Sequence, residues 1–198
     1  LPLEQIVERL EKIVGPRLVS TNPIDKINYQ HTLAYGAYSI LPDVIVRLES
    51  DEQGRHPLDR IMSFANEHKI PIVAKGGVGM GISSPLKGGL LLDMLGMDKI
   101  LEVNSALQYV IAEGGASVYA IHHALREHGL MLPNYGTYGP STVIGAMIAK
   151  GGIGYGMTRY GWIADMVLGL EIILANGQTV RLGAMANDRS DFGPFQKW

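Results

Sequence analysis

The chain reads as an α+β protein: a small strand–helix–strand lobe, then a larger lobe of mixed or antiparallel strands with flanking helices. Three observations predict this. "DVIVRLE" (43–49), a helix opened by Pro57 with Leu58, Ile61, Met62 and Ala65 on one face, and "IPIVA" (70–74) form a strand–helix–strand unit of parallel character. Beyond it the texture changes to short apolar runs with tight connections, "GLLLDM" (89–94), "KILEVN" (99–104) and "QYVIAEGG" (108–115). Near the end, "MVLGLEIILANGQTVRLG" (166–183) is two strands about Asn176–Gly177, a hairpin signature.

The remaining elements follow in order. Leu3, Ile6, Leu10 and Ile13 recur at helical spacing until Gly15–Pro16 stops the helix, and residues 16–42 read as irregular. Ser117 is placed to cap a helix that presents Val118, Ile121 and Leu125 and ends at Gly129. "STVIGAMIAKGGIGYG" (141–156) reads as a short helix followed by a glycine turn. The expected organisation is a lead-in over 1–42, a first lobe over 43–85 and a second lobe over 86–198.

The 198 residues are 46% hydrophobic and 18% charged, which suits a globular protein with a sizeable core. No apolar run reaches the roughly 18 residues of a membrane span, and the opening "LPLEQIVERLEKIVG" is amphipathic rather than a signal peptide. A net charge of -2 gives no strong pull toward nucleic acid or anionic lipid. The absence of cysteine removes disulfides, thiolate metal sites and cysteine nucleophiles, and fits the cytoplasm. No H-x-x-x-H or carboxylate–histidine cluster is present, so no metal is expected. The chain opens on Leu1 and closes on the apolar "DFGPFQKW", so the expectation is a piece of a longer polypeptide or one subunit of a complex.

"AKGGVGMGISSPLKGG" (74–89) carries four glycines within residues 76–81. A P-loop needs lysine where Ile82 stands. A Rossmann turn needs a following helix, which Pro85 and Gly88–Gly89 forbid. Two readings survive: a plain flexible connection, or a nest of backbone N–H groups that grips anionic oxygen. A second cluster, "YGTYGPSTVIGAMIAKGGIGYGMTRYG", has eight glycines between 136 and 161 with Ser141, Thr142 and Thr158 interleaved. It suits backbone pressed against a flat or extended cofactor, or equally close helix-on-strand packing.

Seven segments in register carry a resemblance: "KGGVGMG" (75–81), "GGLLLDMLGMDKILEV" (88–103), "AEGG" (112–115), "HGLMLP" (128–133), "PSTVIGAMIAKGGIG" (140–154), "YGWIAD" (160–165) and "LEIILANG" (170–177). Over residues 43–183 the chain resembles the flavin-binding half of the vanillyl-alcohol oxidase and para-cresol methylhydroxylase superfamily, whose PCMH-type domain holds FAD between two lobes. "TVRLGAMAN" looks most like the phenol-oxidising branch.

The resemblance implies that Gly76, Gly77, Val78, Gly79, Met80 and Gly81 wrap the pyrophosphate with main-chain amides. Lys75 would pair with that group or face solvent. Pro140, Ser141, Thr142 and Gly145, with Gly151, Gly152, Gly154 and Tyr155, would line the ribityl chain and isoalloxazine, and Ile172 would border the adenine. Arg159 and Tyr160 are candidates for the flavin's surroundings, while Asp165 is expected to fix the glycine turn. Lys75 stands where arginine is usual, Val78 where glycine is common, and Ala146 replaces the second glycine of a pair. No histidine lies between His68 and His122, so flavin cannot be linked covalently through the first loop.

The implied activity is hydride transfer from an alcohol, phenol, hydroxy-acid or sugar carbon to flavin, reoxidised by oxygen or a protein. The family's substrate cap is absent from this chain. Two alternatives stand beside that reading: a non-catalytic flavin-binding or electron-transfer subunit that needs a cap-bearing partner, and a folded module that binds no flavin. No catalytic residue is assigned.

Overall fold

The computed structural model describes residues 1–29, 41–77, 88–134 and 141–183. Helix α1 (Leu3–Val14) turns Ile6, Val7, Leu10 and Ile13 inward, and Leu10 is fully buried. Leu3, the first residue of the expected apolar stripe, stays 43% exposed at the helix's free end. Gly15 stops the helix at φ 92°, a value that disfavours any side chain.

The lead-in holds more structure than its composition suggests. A turn of 3-10 helix at Pro16–Leu18 is followed by strand β1 (Val19–Ser20) and helix α2 (Pro23–Ile27). The start of α2 has a local cause: the Asn22 side chain accepts from the Ile24 N–H, and Pro23 presets the first helical φ.

Three parallel strands build the first sheet: β2 (Val44–Glu49), β3 (Ile72–Lys75) and β4 (Leu90–Gly96). With β1 added antiparallel to β2, the order is β1-β2-β4-β3. The parallel relation of β2 and β3 holds, but the two do not touch. Both pair with β4, with Ile45 and Val73 each opposite Leu91. The sequence reading put 89–94 in the second lobe; the structure makes it the inner strand of the first. The reason is its apolar run: Leu90, Leu91 and Leu92 are all at most 2% exposed, as a strand covered on both faces requires.

Helix α3 (Leu58–Glu67) and α1 cover one face of this sheet, packing Ile61, Phe64 and Leu10 on Val44, Val46, Leu48, Leu90 and Leu92. Each fully buried Leu or Ile here contributes about 1.5–3 kcal/mol. α3 ends in a Schellman motif, with Ile70 N–H on the Ala65 carbonyl and Lys69 N–H on that of Asn66. Lys69 takes the left-handed position at φ 55° where glycine is usual.

A second core begins with the antiparallel pair β5 (Ile100–Asn104) and β6 (Tyr109–Ala112). Helix α4 (Val118–Glu127) buries Val118, Ile121 and Leu125 there, together with Met147 of α5 (Ile144–Ala149) and Ile163 of α7 (Ile163–Met166). Ser117 caps α4 through the Ala120 N–H as the sequence predicts, and Gly129, at φ 70°, ends it in a second Schellman motif. The short helix α6 (Met157–Tyr160) precedes α7.

Strands β7 (Gly169–Ile173) and β8 (Thr179–Gly183) form the expected hairpin. Its turn carries one positive φ, at Gly177 (85°), and Leu174 N–H bonds the Gln178 carbonyl; this is a type I turn with a glycine bulge. The turn lies on α3, where the Ser63 hydroxyl donates to the Asn176 carbonyl at 3.1 Å. The last described strands thus return to the first lobe.

Candidate functional site

The two glycine-rich stretches meet. β3 ends at Lys75, and the chain leaves it as Gly76–Gly77. A Cβ added to Gly76 would run into the Val143 side chain, and one on Gly77 would fall on the Ser141 carbonyl. Only glycine allows this approach between segments more than sixty residues apart.

The opposite wall has its own framework. Val118 N–H bonds the Thr142 carbonyl at 2.8 Å, Ile144 N–H that of Ala116 at 2.9 Å, and Gly145 N–H that of Gly114 at 2.8 Å. Residues 142–145 therefore run antiparallel beside the approach to α4. A Cβ on Gly145 would lie 2.7 Å from the Gly114 carbonyl oxygen. Between the walls lies an open groove of about 310 Å³, lined by Gly77, Leu95, Asp98, Gly115, Ser117, Ala120, Ser141 and Val143. That volume is at the lower end of ligand clefts, roughly 300–1,000 Å³. Five of its eight lining residues are Gly, Ala or Ser, so main chain is within a ligand's reach.

The structure thus brings together Gly76, Gly77, Ser141, Thr142 and Gly145. Other expected site residues sit elsewhere. Gly151 and Gly152 end α5 in a third Schellman motif, Gly151 at φ 63° and Gly152 donating to the Met147 carbonyl at 2.7 Å. Their local role is helix termination. Gly154 accepts from the Met157 N–H at the start of α6, and the neighbouring Tyr155 is 70% exposed. Ile172 lies on β7 opposite Val180, in the hairpin that packs on α3. Val78, Gly79, Met80, Gly81 and Pro140 lie outside the described residues. Asp165 does fix the glycine turn: its Oδ2 accepts from the Trp162 N–H at 2.9 Å, beside Gly161 at φ 84°. Arg159 stacks on Tyr160, 5.3 Å from the ring centroid.

Lys75 is not among the residues that line the groove. Arg47, Asp93 and Lys75 stand in one register across β2, β4 and β3, on the face opposite α1 and α3. Tyr29 lies over them, its hydroxyl donating to Asp93 Oδ2 at 2.5 Å while Leu95 N–H holds Oδ1 at 3.0 Å. Lys75 Nζ sits 5.2 Å from the Tyr29 ring centroid. Burial, and then the bond to Asp93, push the Tyr29 hydroxyl up to about 12. Burial holds the Lys75 amine below its usual value, against the opposing pull of Asp93. Arg47 extends the network to Asp25 at 3.3 Å, whose Oδ2 also accepts from the Ser20 hydroxyl.

Sequence reasoning missed Asp98, Gly115 and Ser117 as groove residues. The signal was present: "AEGG" followed by a cap serine places bare backbone just before a helix start. It missed as well the buried Glu113, whose Oε2 holds the Lys99 N–H at 2.9 Å. Lys99 in turn pins the 50–51 loop through its amine, 2.6 Å from the Ser50 carbonyl.

Two small cores, a glycine approach between distant segments and a groove lined by main chain define an α+β cofactor-binding domain. The chain belongs to the FAD binding domain family, whose model matches residues 42–183. FAD is the cofactor of this domain, and the groove's small lining residues fit an extended dinucleotide that is held through main chain. The chain is 31% identical over 188 residues to the uncharacterised FAD-linked oxidoreductase YgcU of Escherichia coli K12, covering 89% of this chain and 38% of that protein. It is 28% identical over 182 residues to the glycolate oxidase subunit GlcD of Bacillus subtilis, covering 91% and 38%. Substrate-bound p-cresol methylhydroxylase superposes with a TM-score of 0.78 at 21% identity, over 98% of this chain and 38% of that one. That likeness shows the two-lobed PCMH-type fold. The chain spans well under half the length of these relatives.

Proposed function

We propose that this chain is the FAD-holding part of an FAD-linked oxidoreductase whose substrate is an alcohol, phenol or hydroxy acid. The observation that carries the proposal is the contact of Gly77 with Ser141, which joins the two glycine-rich stretches at the mouth of the groove. Bound FAD would supply hydride acceptance at N5; what the chain supplies is position. The amides from Gly76 through Gly81 would cradle the pyrophosphate. Pro140, Ser141, Thr142 and Gly145 would form the facing wall, and Gly154 and Tyr155, past the end of α5, would extend it. Ile172 borders the adenine. Asp98, a carboxylate that only accepts hydrogen bonds, would suit a sugar hydroxyl of the cofactor rather than its phosphates.

A substrate cap lies outside this chain, on the same polypeptide or on a partner. GlcD, one of the relatives, is itself called a subunit, which favours the second reading: a flavin-binding chain that works only with its partner. A lead-in over 1–42 precedes the cofactor domain, and the cysteine-free composition favours the cytoplasm as the compartment.

The test uses the full-length natural protein. Its visible spectrum is recorded, and FAD is then titrated anaerobically with a panel of alcohols, phenols and 2-hydroxy acids. Bleaching by one class establishes the activity and names the substrate. An FAD-loaded protein that no class bleaches until a partner chain is added establishes the subunit reading. A protein without flavin bands overturns both.

A further inference from the structure

Lys75 is the last residue with a side chain before the bare backbone of Gly76–Gly77. It is therefore the last point at which β3 can be tethered before the loop begins. Gly76 directs its missing side chain at Val143, toward the groove. Lys75, in register with Asp93, projects from the sheet face opposite α1 and α3. There its ammonium lies over the Tyr29 ring, and Tyr29 is held by Asp93, the residue in register beside Lys75 on β4. Among the described residues no carboxylate stands within ion-pair distance of Lys75. Asp93 fixes the ring over which that ammonium lies.

We infer that Lys75, Tyr29 and Asp93 form a clasp that positions the glycine loop for FAD, with Lys75 a positioning residue rather than a partner of the pyrophosphate. The clasp rests on the FAD reading above, but its chemistry differs from the one the sequence suggests for a lysine beside a glycine loop. A lysine that touched phosphate would act by charge, and its contribution would fade with salt. A lysine whose ammonium is held over the Tyr29 ring acts by geometry, and its effect on FAD affinity is independent of ionic strength. Arg47, in register beside Asp93 on β2, reaches Asp25 of α2. Through Tyr29 the lead-in segment is thereby joined to the loop's position.

The test measures the FAD dissociation constant of the full-length natural protein across a salt series, for wild type, Lys75→Met, Lys75→Arg, Tyr29→Leu and the Lys75→Met/Tyr29→Leu double variant. Lys75→Met and Tyr29→Leu are each expected to weaken binding by about three- to tenfold, with the double variant no worse than the weaker single one. The salt dependence should stay that of wild type. Lys75→Arg, which keeps a cation to stack on the ring, should restore affinity. A shallower salt dependence in Lys75→Met overturns the inference in favour of direct phosphate contact. Additive single effects, or a fall in melting temperature with FAD affinity unchanged, also overturn it. Because wild type is measured alongside, a protein that holds no FAD at all fails the underlying reading, whereas FAD held equally by every variant fails the clasp alone.

Discussion

Gly77 and Ser141 are packed so closely that no atom fits between the α-carbon of the one and the carbonyl of the other. The obstruction is backbone, which cannot rotate aside as a side chain can. Gly77→Ala must therefore push two walls of the groove apart. Overpacking of this kind costs about 1–3 kcal/mol, and here the displaced elements are those that face the cofactor. The expected result is a lower melting temperature together with at least about tenfold weaker FAD binding, since each 1.4 kcal/mol corresponds to a factor of ten. Calorimetry and a flavin fluorescence titration read the two effects separately.

Gly151 provides the contrast. It has nothing within 4 Å of an added Cβ, but its φ is 63°. Gly151→Ala should cost about 1 kcal/mol through the left-handed backbone alone, with FAD affinity preserved. Gly151→Asn should recover part of that loss, because asparagine tolerates this conformation at a helix end. Weaker FAD binding by Gly151→Ala at unchanged stability would instead make Gly151 a cofactor contact.

Lys69 occupies the same helix-end position on α3 with a side chain that backbone sterics disfavour. Lys69→Gly is expected to raise stability by several tenths to about 1 kcal/mol, after the larger unfolded-state entropy of glycine is offset. A denaturant titration with unchanged slope and a higher midpoint is the supporting outcome.

Tyr29 titrates well above an ordinary tyrosine because burial and the Asp93 carboxylate both disfavour its phenolate. Its folded-state value of about 12 exceeds the unfolded value of about 10. The stability linked to it is then fully present below pH about 10 and is lost as the pH climbs through about 12. Tyr29→Phe should flatten this alkaline limb of the stability curve and delete the highest-pH tyrosinate step in the ultraviolet titration. An unchanged limb would place the alkaline transition elsewhere.

Much of this was legible in the chain itself. Local rules act over a few residues, and they decided the local outcomes: the Ser117 cap, the Gly129 stop, the Asn176–Gly177 turn and the parallel sense of β2 and β3. The lead-in hid β1 and α2 because two strand residues and five helical ones are too short for periodicity to register. The place of β4 was hidden for another reason. Its apolar run announces a covered strand, but chain order alone gives no means of seeing that it inserts between two earlier strands.

The same division holds for the site. Glycine density at 76–81 and 136–161 marks backbone that is either a flexible connection or closely approached by protein or cofactor. Only the tertiary structure decided which: Gly76 and Gly77 meet the facing wall of a groove, Gly145 meets Gly114 within its own wall, and Gly151 and Gly152 end their own helix. It also set the Lys75 ammonium over the Tyr29 ring. Sequence encodes the freedom of a backbone and the charge of a side chain, whereas the direction in which either is used depends on strand register and on partners dozens of residues away.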